Sequence, residues 1–139
     1  MPAGYSGTPL AKKLGIKPLA RVSLVGAPTG FEQELEPIPD GAKIARKLGA
    51  SSDVIVFFTT KHAELARRLP ELAAALDPAG GLWIAWPKKS SGVATDLAFE
   101  NVQLAGLDLG LVDNKICAVT EIWSGLRFVV RKENRPKGK

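Results

Sequence analysis

Two short apolar runs constrain the fold of this 139-residue chain more than any other feature. Residues 53–59, DVIVFFT, and residues 82–86, LWIAW, show no alternation of apolar with polar side chains. A strand that is apolar on both faces must be covered on both faces, which is typical of the central strands of a parallel sheet. The second run is expected to place Leu82, Ile84 and Trp86 on one face and Trp83 and Ala85 on the other.

Helical patterns separate these strands from their neighbours. Short helices are predicted after Thr8-Pro9 and over residues 31–36, and longer ones over 63–76 and from Thr95 or Asp96 to about Leu109. The first long helix carries an apolar stripe, and Pro70 within it predicts a kink or a break. That stripe consists of Leu65, Leu69, Leu72 and Leu76.

The remaining segments complete a sheet. Residues 21–26 predict a strand, and residues 42–48 suit either a helix or a short edge strand, of which we favour the strand. Residues 112–123 and 126–131 flank Ser124-Gly125, which predicts the loop of a hairpin. Its second strand would then lie at a sheet edge, where Arg127 and Arg131 would hinder pairing with another chain.

Strands that alternate with helices predict a doubly wound α/β fold of the Rossmann type. We expect a mostly parallel sheet with helices on both faces and a C-terminal antiparallel hairpin. The length suits one domain, predicted over residues 1–131.

Two resemblances support this fold. The order of DVIVFF, a helix, LDPAGGLWIAWP, a second helix and a hairpin resembles the second half of the Rossmann-like methyltransferases. Over nearly the whole length, GYSGTPLAKKLGIK, LWIAWPKKSSGVATDL and GLVDNKICAVTEIWSGLRFVVR resemble a family of short bacterial proteins catalogued as a domain of unknown function. The resemblance implies a bacterial protein with a shortened methyltransferase-like fold, and it implies no activity.

Composition excludes several protein classes. No apolar run approaches the length of about 20 residues that spans a bilayer, and the N-terminus lacks the pattern of a signal peptide. A single cysteine excludes an internal disulfide framework. We therefore expect a cytoplasmic protein with no membrane contact. Of the net charge of +5, +4 falls within residues 131–139, so residues 132–139 are predicted to form a disordered basic tail.

The first turn of the sheet decides the prediction for a cofactor. The methyltransferase resemblance implies a glycine-rich turn after the first strand and, at the end of the second, a carboxylate that takes the ribose hydroxyls. Here the turn is Gly26-Ala27-Pro28-Thr29-Gly30, with different glycine spacing and with Pro28 lacking an amide hydrogen. Arg46 and Lys47 follow the second strand in place of an acid. We therefore predict no cofactor.

The segment PKKSSG, after the second central strand, is the best candidate for a ligand site. Crevices of open α/β sheets form at the carboxyl ends of the strands, and lysine and serine side chains suit phosphate or carboxylate groups. The predicted ligand-binding residues are Thr60, Lys61, Lys88, Lys89, Ser90, Ser91 and Gly92, the glycine allowing close backbone approach. The opposing interpretation is a solvated loop.

Other reactive residues carry weaker signals. His62, the sole histidine, follows a central strand but has no evident nucleophile beside it, so we expect an ordinary polar residue at the surface and assign no catalytic residue. Cys117 is expected to be a small buried strand residue, and no metal is predicted. Trp83 and Trp86 are expected in the core, and Trp123 is expected to be partly exposed, where it would suit a protein partner.

Three functions fit these observations. The favoured one is a non-catalytic Rossmann-like module that binds an anionic small molecule, or a protein partner, at the lysine-rich edge. The alternative is a divergent S-adenosylmethionine-dependent methyltransferase-like enzyme. A nucleic-acid binder using the basic termini is the third, and the near-neutral charge of the first 130 residues argues against it.

Overall fold

The two strands that are apolar on both faces lie side by side in the middle of a six-stranded sheet. The structure, a computed structural model, describes residues 8–131. Its strands are β1 (Arg21–Val25), β2 (Lys43–Ala45), β3 (Ser52–Phe58), β4 (Leu76–Pro87), β5 (Leu111–Ala118) and β6 (Trp123–Val130). Its helices are α1 (Leu10–Lys13), α2 (Phe31–Glu34), α3 (His62–Ala75) and α4 (Phe99–Asp108), with a 3₁₀ turn at Lys89–Ser91.

The strand order is β2-β1-β3-β4-β6-β5. The first four of these are parallel to one another, and β6 runs antiparallel to both β4 and β5. This confirms the predicted parallel sheet with a C-terminal hairpin. It also settles residues 42–48, since Lys43–Ala45 pairs with β1 as an edge strand.

The two faces of the sheet bury separate apolar clusters. One face packs Ile55, Phe57, Leu82, Ile84 and Trp86 against α3 and α4. The other packs Val54, Val56, Phe58, Trp83 and Ala85 against α1 and α2. The alternation along residues 82–86 is therefore confirmed, and helices cover both faces because both carry apolar side chains.

The predicted hairpin loop is wrong. Ser124 and Gly125 lie within β6, where they pair with β4 on one side and β5 on the other, and the turn comes earlier, between Ala118 and Trp123. Gly125 serves packing, because a Cβ there would lie 2.6 Å from Val119 Cγ2 and 3.1 Å from Trp83 Cε3. The strand predicted over residues 126–131 is therefore not an edge strand, and the two edge strands of the sheet are β2 and β5.

The structure narrows one helix prediction, a kink or a break at Pro70, and corrects another. Helix α3 runs through Pro70 without a break. Pro70 and Ala66, whose carbonyl oxygen would accept the missing amide bond, are both exposed, so water can bind that oxygen. Helix α4 begins at Phe99, because Thr95 and Asp96 bond to the segment after β3 and do not cap this helix.

The predicted basic tail, residues 132–139, lies outside the described residues. Within residues 8–131 no helix combines the length and the apolar character that crossing a bilayer demands.

Candidate functional site

Four loops meet at the carboxyl edge of the sheet. Because β1, β3 and β4 are parallel, the segments after them emerge at the same edge. Strand β5 has the direction of β4, since both are antiparallel to β6, and so the hairpin turn at 119–122 lies there too. The amide of Lys88 donates to the carbonyl oxygen of Ile122 at 2.8 Å, which joins the β4 loop to this turn.

Two hydrogen bonds join the loops that carry the predicted ligand-binding residues. Thr95 Oγ1 donates to the carbonyl oxygen of Thr60 at 2.6 Å, and the amide of His62 donates to Asp96 Oδ1 at 2.7 Å. The loop after β4 therefore folds back onto the end of β3. The carboxylate of Asp96 also takes the amide at the start of α3 that an external anion would otherwise use.

Internal hydrogen bonds close much of the PKKSSG loop. Ser91 Oγ donates to the carbonyl oxygen of Lys88 at 2.6 Å and accepts from the amide of Val93 at 3.1 Å. Gly92 has φ +76° and open space around its α-carbon, so it serves the turn conformation. Of the predicted residues, Lys61, Lys89, Ser90 and Gly92 are exposed, and Thr60, Lys88 and Ser91 are half-buried.

The turn after β1 contains a glycine that the packing of β3 requires. Gly26 has φ +72°, and a Cβ there would lie 2.7 Å from the carbonyl oxygen of Phe58. The turn is closed by the amide of Phe31, which donates to the carbonyl oxygen of Pro28 at 3.1 Å. Its first glycine thus permits the approach of β3.

Arg46 lies at the end of β2 and binds this same turn. Its guanidinium donates to the carbonyl oxygens of Ala27 at 2.9 Å and Pro28 at 2.8 Å. It also forms a bidentate pair with Glu32, at 2.5 Å from Nε and 2.7 Å from Nη2. We call these four contacts the Arg46 bridge. The hydrogen bonds from Arg46 hold the pKa of Glu32 below its usual value.

An open cleft of about 370 Å³ lies on another side of the turn. One wall is formed by residues 28–31 with Glu34, and the other by Thr120, Glu121 and Ile122 of the hairpin turn. The charged side chains in its lining are both carboxylates, those of Glu34 and Glu121. We call it the acidic cleft. Its chemistry suits a cation or a hydrogen-bond donor, the opposite of the predicted anion.

Aromatic contacts connect the two walls of the acidic cleft. Phe31, buried in one wall, packs edge-on against Phe58 with ring centroids 4.9 Å apart. Phe58 packs in the same way against Trp123, at 5.2 Å, and Trp123 directly follows the other wall. The walls are thus supported by packed rings.

Sequence analysis missed the acidic cleft because it misplaced the hairpin turn. With the loop assigned to Ser124-Gly125, Thr120 and Glu121 fell inside a predicted strand. A signal for the true turn was present in Thr120, whose hydroxyl accepts from the amides of Ile122 at 3.1 Å and Trp123 at 3.2 Å. Threonine commonly closes turns in this way.

The remaining candidate residues are one histidine, two tryptophans and one cysteine. His62 is exposed at the start of α3. Trp83 is fully buried, with Nε1 donating to the carbonyl oxygen of Leu14 at 3.0 Å, and Trp123 is half-buried as predicted. Burial raises the pKa of the half-buried Cys117 thiol. Between Thr8 and Arg131, no group of three or more histidine, cysteine, aspartate or glutamate side chains is placed to hold a metal ion.

Comparisons with known proteins bear on the fold. No protein-family model and no curated protein sequence matches the chain. Solved structures do match: a S-adenosylmethionine (SAM)-dependent methyltransferase from Aquifex aeolicus has a TM-score of 0.61 at 16% identity, over 86% of each chain. Fibrillarin from Aeropyrum pernix, in complex with SAM, gives 0.60 at 13% identity, over 86% of this chain and 73% of the other.

A third match is magnesium protoporphyrin IX methyltransferase from Synechocystis with bound SAM. Its TM-score is 0.56 at 14% identity, over 87% of this chain and 74% of the other. At these identities the likeness establishes a methyltransferase-like fold.

Proposed function

We propose that this chain is a divergent SAM-dependent methyltransferase-like protein that holds the positively charged end of its ligand in the acidic cleft. The observation that carries the proposal is an open, carboxylate-lined cleft at the carboxyl edge of a methyltransferase-like sheet. Ligands of open α/β sheets bind at this edge. The proposal departs from our expectation of a non-catalytic module, since every solved structure compared above is a methyltransferase or fibrillarin.

The acidic cleft fits one half of SAM. The methionine half of that ligand carries a sulfonium, an ammonium and a carboxylate, and the side chains of Glu34 and Glu121 supply the charge opposite to its two cationic groups. Ile122, which is exposed, adds apolar surface for its carbon atoms. When bound, SAM would supply an electrophilic methyl group, and the contribution of this chain would be to bind and orient the sulfonium end.

The nucleoside half of SAM does not fit the chain in this state. Pro28 lacks an amide donor, Gly26 faces Phe58, and the Arg46 bridge covers the carbonyl side of the turn. We therefore expect weak binding, and no catalytic step is assigned to these residues.

Calorimetry with SAM and S-adenosylhomocysteine tests the proposal. The second compound lacks the sulfonium charge, so we expect it to bind more weakly. Glu34→Gln/Glu121→Gln should weaken SAM about fivefold, the equivalent of an exposed ion pair, and should affect S-adenosylhomocysteine less. Glu36→Gln, which removes a nearby exposed carboxylate outside the lining, is the matched control. Equal affinities for the two compounds, or no binding of SAM at millimolar concentration, would contradict the proposal.

A second candidate is the anion-binding module at the lysine-rich edge. The hydrogen bonds of Thr95 to Thr60 and of Asp96 to His62 favour it, because they bring Lys61 near the loop of Lys88 and Lys89. Thermal unfolding with inorganic phosphate tests this site. We expect Lys88→Ala/Lys89→Ala to abolish the rise in Tm caused by phosphate and to leave the Tm without phosphate unchanged, with Lys47→Ala as control. A phosphate-dependent rise in Tm that persists in the double variant would exclude the loop of Lys88 and Lys89 as the phosphate site.

A further inference from the structure

The Arg46 bridge lies where the resembled fold makes its contact with the ribose of a cofactor. In that fold a carboxylate at the end of the second strand accepts hydrogen bonds from the ribose hydroxyls. Arg46 directly follows β2, and a guanidinium has donors but no acceptor. The chemistry at this position is therefore reversed.

The guanidinium of Arg46 donates its hydrogen bonds to other residues of the same chain. Three nitrogens of the guanidinium contact the carbonyl oxygens of Ala27 and Pro28 and both carboxylate oxygens of Glu32. These partners belong to the turn after β1 and to α2, and in the resembled fold a nucleoside lies between that turn and the end of β2. Arg46 thus fills this region with its own side chain.

The bridge is exposed enough to open. The side chains of Arg46 and Glu32 keep 42% and 38% of their surface accessible. Water screens an ion pair of this kind, so releasing it costs little compared with breaking a buried pair. The arginine can therefore leave the turn without disturbing the packed core beneath it.

We propose that Arg46 is a specificity-determining residue that excludes nucleosides from the site while it bridges Ala27, Pro28 and Glu32. The inference rests on the proposed function, because it concerns the nucleoside side of the same ligand. A nucleoside binds only when the bridge opens, and the native chain therefore discriminates against compounds that place an unmodified ribose at the end of β2.

Nucleoside binding by position-46 variants tests the inference. We expect S-adenosylhomocysteine to bind at least about tenfold more tightly to Arg46→Ala than to the native chain, measured by calorimetry, which corresponds to about 1.4 kcal/mol. Arg46→Asp should bind more tightly still, because its carboxylate can accept from the ribose hydroxyls. Lys47→Ala, which removes the adjacent exposed cation, should leave the affinity unchanged.

A purely structural brace would behave differently. If Arg46 only holds the turn in place, its removal lowers the Tm and gives no gain in binding, which would overturn the inference. Glu32→Gln provides a second variant that keeps the arginine and weakens its anchor. We expect from it a smaller gain, about twofold to threefold, with an unchanged Tm.

The outcomes separate this inference from the proposed function. If the native chain binds SAM through the acidic cleft and the Arg46 variants gain nothing, the proposed function stands and the inference fails. If only the Arg46 variants bind, the inference stands and the native chain is not a SAM-binding protein. If a folded Arg46→Asp variant and the native chain both fail to bind, both proposals are wrong.

Discussion

The amino half of the sheet, β1 and β2, and the carboxyl half, β3 to β6, are held together in different ways. Strands β3 and β4 are long and buried on both faces, and apolar packing on both faces secures them. Strands β1 and β2 have five and three residues, and the connections around them depend on side-chain hydrogen bonds such as those of Ser23 Oγ with Ser52 Oγ and with the amide of Gly49. In this shortened fold, polar side chains therefore stabilise the half in which the apolar strands are short.

The largest expected effect is the loss of Trp83 in the centre of the carboxyl half. Trp83 is fully buried on β4, so Trp83→Ala should lower the free energy of unfolding by about 3–5 kcal/mol. Ile44→Ala on the half-buried edge strand β2 should cost less than about 2 kcal/mol. Urea unfolding measures both, and equal losses would contradict the proposed difference between the halves.

The position of Gly125 allows a second test within the carboxyl half. Gly125→Ala places a methyl group against Val119 and Trp83, and we expect a loss of about 1–3 kcal/mol. Gly49→Ala in the amino half is the matched control, since the nearest atom to its Cβ would be Ser23 Oγ at 3.8 Å. Thermal or urea unfolding of the pair distinguishes them. Tolerance of alanine at position 125 would mean that the packing around Trp83 is loose.

A buried serine pair tests the polar contacts of the amino half. Ser23 Oγ and Ser52 Oγ lie 2.7 Å apart, and Ser23 Oγ also accepts from the amide of Gly49 at 3.0 Å. Ser23→Ala removes the acceptor of the Gly49 amide and one partner of the buried Ser52 hydroxyl, and it should cost about 1 kcal/mol. In a double-mutant cycle with Ser52→Ala, the two losses should differ from additivity by at least about 0.5 kcal/mol. Strict additivity would show that the two hydroxyls act independently.

The same difference decides what sequence analysis could predict. Strands β3 and β4 followed from runs that are apolar on both faces, because such runs have few alternatives to central strands. The turn at 119–122 did not follow, since Ser124-Gly125 has the composition of a hairpin loop and its packing against Trp83 depends on a distant strand.

The candidate site was harder to predict because it depends on contacts between distant residues. The loop of Lys88 and Lys89 was predicted from its position after β4, and hydrogen bonds join this loop to the end of β3. The Arg46 bridge joins residues 14 to 19 positions apart along the chain, so the sequence showed only a basic residue in place of an acid. The acidic cleft combines Glu34 with Glu121, and no local pattern connects those two side chains.

The smallest expected effect concerns Cys117 on the edge strand β5. Burial raises the pKa of its thiol, against the opposing charges of Lys13 and Lys115. The unfolded chain therefore loses this proton first as the pH rises, and the protonated thiol adds stability that is complete below the ordinary thiol pKa of about 9.0. That contribution is lost as the pH rises through the higher pKa of the folded state.

Urea unfolding between about pH 7 and pH 10.5 measures this contribution against Cys117→Ala. We expect the stability of the native chain to fall more steeply than that of the variant above the ordinary thiol pKa, by less than about 1 kcal/mol, because the side chain is only half-buried. Parallel pH profiles would show that water reaches this edge as freely as it reaches the unfolded chain. In that case, the apolar protection of the carboxyl half would end at β6 rather than extend to β5.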